Sequence, residues 1–114
     1  CDLFSGTARV GHALKAQGYE VWSNDLNAYA HVLATAYVQA DADAWSAPAE
    51  RLIAELNDTP ASPGWFTQAF CEDARYFTPE NGARIDAIRD RIAALSLEPE
   101  LQAIALTSLM EAAD

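Results

Sequence analysis

The chain has 114 residues, 51% of them hydrophobic, and a formal net charge of -10. That length fits one modest domain or part of a larger protein, and the apolar share supports a packed core, against a disordered chain. The charge has the wrong sign for a self-sufficient nucleic-acid binder, and no apolar run approaches the roughly 20 residues of a membrane span.

In chain order, Leu3 and Phe4 read as the end of a short apolar strand, and Ser5-Gly6-Thr7 as the turn after it. A helix is expected from about Arg9 to Gln17, with Val10, Ala13 and Leu14 on one buried face and Gly18 as its stop. Tyr19 to Ser23 reads as a second strand closed by Asn24-Asp25, and a second helix runs from Asn27, a good N-cap, to Ala40. Its apolar stripe is Tyr29, Val32, Leu33, Ala36 and Tyr37. Strand, helix, strand, helix is the unit of a parallel sheet, and a right-handed crossover sets the two strands side by side. The fold expected for residues 1–44 is therefore half of a Rossmann-like α/β nucleotide-binding domain.

Residues 45–114 read as helical, either a substrate-recognition region or a helical flank of the same core. DADAWSAP is expected to be a polar connector, Pro48 to Leu56 a short helix, and NDTPASPG the clearest loop. Trp65, Phe66 and Phe70 cluster just after it, and read as core before they read as a base-stacking platform. Thr78-Pro79 is a strong helix opening, followed by the stripe Ile85, Ile88, Ile92 and Leu95. Glu80/Arg84 and Asp86/Arg89 have the spacing of exposed ion pairs worth roughly a few tenths of a kcal/mol each. A last helix begins at about Pro99 and buries Leu101, Ile104, Ala105 and Leu109. It ends in SLMEAAD with no stop signal, and the chain starts inside an apparent strand, so a piece of a longer protein is expected.

Ligands of open parallel sheets sit at the carboxyl ends of the strands, which would bring Ser5-Gly6-Thr7 and Asn24-Asp25 together. Gly6 lets backbone approach a ligand, and the following helix turns free N–H groups toward an anion. Asp25 is placed to accept both hydroxyls of a ribose, Leu26 to offer an apolar surface to a base, and Asp2 to hold an ammonium. The turn Gly6-Thr7-Ala8-Arg9-Val10-Gly11 lacks the second glycine that a dinucleotide pyrophosphate needs, and no Walker loop occurs. S-adenosyl-L-methionine, a nucleoside without phosphates, suits this turn better. Asp2 as a structural cap and Thr7 as a plain N-cap are the competing roles.

DLFSGT with YEVWSND behind it resembles the cofactor-binding half of a DNA methyltransferase. RYFTPENGARIDAIRDRI followed by LTSLMEAAD resembles the helical segment of the Dam-like adenine-specific DNA methyltransferases. The resemblance implies methyl transfer from S-adenosylmethionine to the exocyclic amine of adenine in DNA. It implies that Asp2, Phe4, Ser5, Gly6 and Thr7 line the methionine end of the cofactor, that Asp25 holds the ribose, and that Leu26 touches the adenine. One departure stands out: the family's Asp-Pro-Pro-Tyr motif, which grips a flipped adenine, is absent, since no two prolines are adjacent. No catalytic residue is therefore assigned, and the isolated chain is expected to be inactive.

Arg75, Tyr76 and Arg84, with Arg89 and Arg91, are the one basic and aromatic concentration and the candidates to meet DNA phosphates. The acidic residues among them, Glu80, Asp86 and Asp90, favour instead a self-paired solvated face. His12, His31, Cys1 and Cys71 lack metal-ligand spacing, so no metal is expected. Two unpaired cysteines suit a reducing cytoplasm, and a two-stranded sheet is poor alone, which leaves pairing with a second copy open. Three other readings stay open: a methyltransferase for RNA or a small molecule, an oxidoreductase-type dinucleotide domain, and a non-catalytic helical interaction module with a degenerate nucleotide-binding fold.

Overall fold

Polar caps and prolines set where four of the five α-helices begin, the first being the exception. The computed structural model describes residues 1–114, and its α-helices are α1 (Arg9–Ala16), α2 (Ala28–Ala34), α3 (Ala42–Asn57), α4 (Pro79–Ala94) and α5 (Pro99–Ala113). Asn27 caps α2 by accepting the Tyr29 N–H at 3.0 Å, and Thr78 caps α4 through Asn81 at 3.3 Å with Pro79 in the first turn. Asp41 does the same for α3 through the Asp43 N–H at 3.0 Å. The DADAW stretch is therefore a helix start, not the connector its polarity suggests, and Pro48 lies inside α3.

Two π-helical segments complete the chain. Thr35–Gln39 continues α2, and Thr67–Asp73 follows a first helical turn at Trp65 and Phe66. The Thr35 hydroxyl donates to the His31 carbonyl at 2.9 Å, a side-chain bond that competes with the helical ladder and marks where it widens.

The Rossmann-like α/β expectation is overturned: the molecule contains helices and no β-strand. The two segments expected as strands meet at one isolated parallel bridge, Asp2 to Ser23. Asp2 N–H donates to the Trp22 carbonyl at 2.8 Å, Asn24 N–H to Asp2 at 2.9 Å, and Ser5 N–H to Asn24 at 3.1 Å. Two segments this short, with no neighbour on either side, do not build a ladder. Nor does a layer cover them, since Leu3 and Phe4 are exposed.

The core lies among α3, α4 and α5, where Leu52, Leu56, Ile92 and Ala105 are buried and Ile88, Leu95, Leu97, Leu101 and Leu106 pack around them. Fully burying one such side chain as large as Ile92 is worth roughly 1.5–3 kcal/mol. Helix α5 is the common partner, packing on α2, on the Thr35–Gln39 segment, on α3 and on α4. Two polar links reinforce it: the Tyr37 hydroxyl to Glu111 at 3.1 Å and the Gln39 amide to Glu100 at 2.8 Å. Helix α1 departs from its expected stripe. Val10 and Leu14 are exposed, and the buried position is Gly11, whose small size lets the helix lie close to Val21 and Val38.

No helix is long and apolar enough to cross a membrane. Cys1 and Cys71 are both free thiols.

Candidate functional site

Gly6 takes a left-handed conformation (φ +49°), which turns its N–H toward Asp25. The Asp25 carboxylate accepts the Gly6 N–H on Oδ2 and the Asn27 N–H on Oδ1, each at 3.0 Å. The hydrogen bonds from Asn27 and then Gly6 hold its carboxyl below the usual range, so it stays ionised. Each oxygen has two lone pairs and spends one of them on these bonds. The side that remains lies toward solvent. Asn24 ties the same two segments together through its amide, which donates to the Leu3 carbonyl at 3.1 Å.

Ser5, Gly6 and Asp25 are thus brought to one spot, nineteen residues apart in sequence between the last two. Two observations bear on whether a nucleoside fits here. The Ser5 hydroxyl is buried and has no hydrogen-bond partner in the protein, an orphan that calls for one. Above Gly6 the space is open: a Cβ there would find only the Phe4 carbonyl, at 4.0 Å. Leu26 is fully exposed and Phe4 is 89% exposed, so neither is core. Asp2 enters the bridge through its backbone. Thr7 does not cap α1; that position belongs to Ala8, in a left-handed conformation (φ 60°) without a side-chain capping bond.

Thr7 instead lines a cleft of about 350 Å³ between α1, α2 and α5, together with Arg9, His12, Tyr29, Tyr37 and Glu111. His12 and Tyr37, with ring centroids 5.3 Å apart, stand between this cleft and a larger cavity of about 510 Å³. Burial and the neighbouring Glu111 push the Tyr37 phenol above its usual range, so it remains a donor to that carboxylate.

The second assembly was hidden in the sequence by an apparent ion pair. Asp86 pairs with no arginine; it is 2% exposed. It accepts the N–H groups of Gly64 at 2.8 Å, Phe66 at 3.0 Å and Thr67 at 2.8 Å, and the Thr67 hydroxyl at 2.7 Å. It therefore caps, from α4, the start of the aromatic helical stretch that the sequence left unassigned. Burial raises its carboxyl pKa, but the four hydrogen bonds outweigh this and leave it lowered. Gly82, one turn earlier on the same face, gives the stretch room: a Cβ there would collide with Cys71 Sγ and come within 3.1 Å of the Thr67 backbone. The segment ENGARID thus carries a small face, Gly82, Ala83, Asp86 and Ala87, beside its apolar one. A glycine followed four residues later by an aspartate, each with an alanine directly after it, was the available signal.

That dock packs Phe66 against Phe70 and Phe77 in tilted pairs, ring centroids 4.8 and 5.2 Å apart, with Trp65 edge-on to Phe70. Beyond it Arg75 adopts a left-handed conformation (φ 58°) and Tyr76 is 77% exposed. Arg84 lies on the exposed side of α4, beside a groove it shares with Phe77 and Asn81. Neither Arg75 nor Arg84 forms an ion pair. The expected Glu80/Arg84 pair is not made, whereas Arg91 binds Glu55 at 2.7 Å and Arg89 approaches Asp90 at 3.8 Å.

Residues 1–114, the whole chain, match the family model for the D12 class N6 adenine-specific DNA methyltransferase. The chain is 31% identical over 122 residues to the Type II methyltransferase M.NlaIII of Neisseria lactamica, a match covering 100% of this chain and 36% of that protein. It is 31% identical over 97 residues to the Type II methyltransferase M.CviAII of Paramecium bursaria Chlorella virus 1, covering 80% of this chain and 28% of that protein. The chain therefore spans about a third of the length of the curated relatives it matches. No solved structure gives a significant match.

Proposed function

Because this chain belongs to the D12 class N6 adenine-specific DNA methyltransferase family, we propose that it carries the S-adenosylmethionine-binding part of an enzyme that methylates the exocyclic amine of adenine in DNA. When bound, the cofactor supplies a methyl group on a sulfonium, activated toward an amine. The chain's own residues hold and orient it. Asp25 accepts the ribose hydroxyls on the lone pairs that Gly6 and Asn27 leave unused, and its depressed pKa keeps it an acceptor. Leu26 offers the adenine an apolar surface. Asp2, Phe4, Ser5, Gly6 and Thr7 form the wall along which the rest of the cofactor lies, and the unpartnered Ser5 hydroxyl gains a partner there.

Residues 1–44 take this cofactor role, and residues 45–114 face the DNA. Arg75 and Arg84, unpaired within the protein, meet phosphates, and the exposed Tyr76 ring lies against the nucleic acid. The net charge of -10 repels a polyanion overall, so contact with DNA through this chain depends on local cations such as these. The residues that grip the flipped adenine are not among these 114, so the chain by itself does not turn over.

The observation that carries this reading is the direct bond between the Gly6 N–H and Asp25, which joins a single-glycine turn to a ribose-competent carboxylate. Methyl transfer by the full-length protein from labelled S-adenosylmethionine to duplex DNA tests it. Label is expected on N6 of adenine and to fall sharply in Asp25→Asn. Label on RNA or on cytosine alone, or none at all, would contradict the reading.

A further inference from the structure

Arg75 stands where a glycine is the ordinary choice. It follows Ala74, the residue that closes the π-helical segment Thr67–Asp73, and takes a left-handed conformation (φ 58°). Chains leaving a helix usually give that conformation to glycine, because a Cβ is disfavoured in it. Three backbone bonds to the end of the segment keep Arg75 there. The Ala74 N–H donates to the Ala69 carbonyl at 3.2 Å, and the Phe70 carbonyl accepts the N–H groups of Tyr76 at 2.9 Å and Phe77 at 3.3 Å. The guanidinium gains no ion pair in return, and Tyr76 beside it is exposed. A side chain kept in a disfavoured backbone conformation without an ionic partner points to a partner outside the protein.

The anchor of this turn lies at the other end of the segment. Asp86 binds the Phe66 and Thr67 N–H groups at 3.0 and 2.8 Å and the Thr67 hydroxyl at 2.7 Å. The Phe66 ring in turn packs against Phe77 at 5.2 Å, and Phe77 is the residue whose N–H the Phe70 carbonyl holds. Asp86 is thus joined to the turn by an unbroken set of short contacts, through backbone along the segment and through rings across it. Phe77 also borders the groove that Arg84 lines, which sets a second unpaired cation beside the turn. We infer that Asp86 is a positioning residue for the DNA contact: through Thr67 and Phe66 it holds the Arg75–Tyr76 turn in its receiving shape before DNA arrives. A turn shaped in advance spares the complex the cost of ordering it. The inference rests on the reading above that Arg75 meets a phosphate.

Binding of duplex DNA by the full-length protein, followed by fluorescence anisotropy over a series of salt concentrations, tests this. Arg75→Gln is expected to weaken binding about tenfold at low salt and to make the logarithmic salt slope shallower by about one. Asp86→Asn, and the milder Thr67→Val that removes only the hydroxyl bond, are each expected to weaken binding at least about threefold and to make the slope shallower. Circular dichroism at the binding temperature checks that each variant is folded. In the Arg75→Gln background the two dock variants should cost nothing more, since the contact they position is already gone. An effect on folding alone would cost the same in both backgrounds and leave the slope unmoved. Arg75→Gly should raise the thermal midpoint while weakening DNA as Arg75→Gln does. Additive losses overturn the inference, as does unchanged duplex affinity in both dock variants or a lower midpoint in Arg75→Gly. If Arg75→Gln itself leaves affinity and slope unchanged, the phosphate contact beneath the inference fails.

Discussion

The first 29 residues expose Leu3, Phe4, Val10, Leu14, Tyr19, Trp22, Leu26 and Tyr29, whereas the helices from Ala42 onward gather Leu52, Leu56, Ile92 and Ala105 into one core. The two regions hold their shape by different means. In the helical region burial does it, helped at one point by a buried carboxylate. Near the N-terminus the shape comes from individual hydrogen bonds: Asp25 to Gly6 and Asn27, Asn24 to Leu3, and three backbone bonds across the bridge. One lesson concerns mutations. In the helical region a single change should be read mainly in stability, and at the N-terminus mainly in binding.

The largest break is expected at Asp86. Asp86→Ala strands three backbone N–H groups and a hydroxyl in a buried place, and should cost on the order of 3–5 kcal/mol of unfolding free energy. Chemical denaturation followed by circular dichroism measures this; a loss below that of an ordinary surface substitution would refute the capping role. Gly82→Ala comes next. Its methyl group meets Cys71 and the Thr67 backbone on the facing segment, and overpacking of this kind costs about 1–3 kcal/mol. The expected signature is a lower denaturation midpoint with changed near-ultraviolet signal from Trp65, while S-adenosylhomocysteine binding persists.

Acid should act on the helical region through the same carboxylate. The Asp86 pKa in the folded protein lies below its ordinary 3.8. Its contribution is therefore complete above about pH 4 and is lost as pH falls through the folded value. Stability of the unmodified protein should drop in that acid window, and Asp86→Asn should lose less over the same interval. Parallel pH profiles for the two proteins would count against it. The smallest stability effect is expected for Asp25→Asn, which removes one of the carboxylate's two backbone hydrogen bonds at an exposed site and should lower the denaturation midpoint only slightly. A large fall there would mean that the N-terminal region depends on Asp25 for folding and not only for binding.

Much of the helical half was legible in the sequence. Thr78-Pro79 and Pro99 announce α4 and α5 because caps and N-terminal prolines act locally. The stripes through Leu52, Leu56 and Ile92 likewise point inward as their spacing requires. The proximity of Gly6 and Asp25 was legible too, although it arises without the sheet that suggested it. Strand-like runs at Leu3-Phe4 and Tyr19 to Ser23 signal extended backbone, but a ladder needs neighbours on both sides and a covering layer, which no local pattern encodes. The Asp86 dock was hidden for a different reason. An aspartate three residues from an arginine on a helix looks like a surface pair, and only the approach of Gly64 to Thr67 from another segment reveals its role. Glu111 was invisible for the same cause, since its meaning depends on Tyr37, seventy-four residues away.

The central claim is that the Gly6 bend and Asp25 together hold a phosphate-free nucleoside. Side-by-side calorimetry of the full-length protein and its Asp25→Asn variant, with S-adenosylhomocysteine and with NAD, tests it most directly. S-adenosylhomocysteine should bind the unmodified protein and lose roughly ten- to a hundredfold in the variant, as expected for charge-assisted hydrogen bonds to two hydroxyls, and NAD should bind neither. NAD binding in preference to S-adenosylhomocysteine, or equal S-adenosylhomocysteine affinity in the two proteins, would contradict the account.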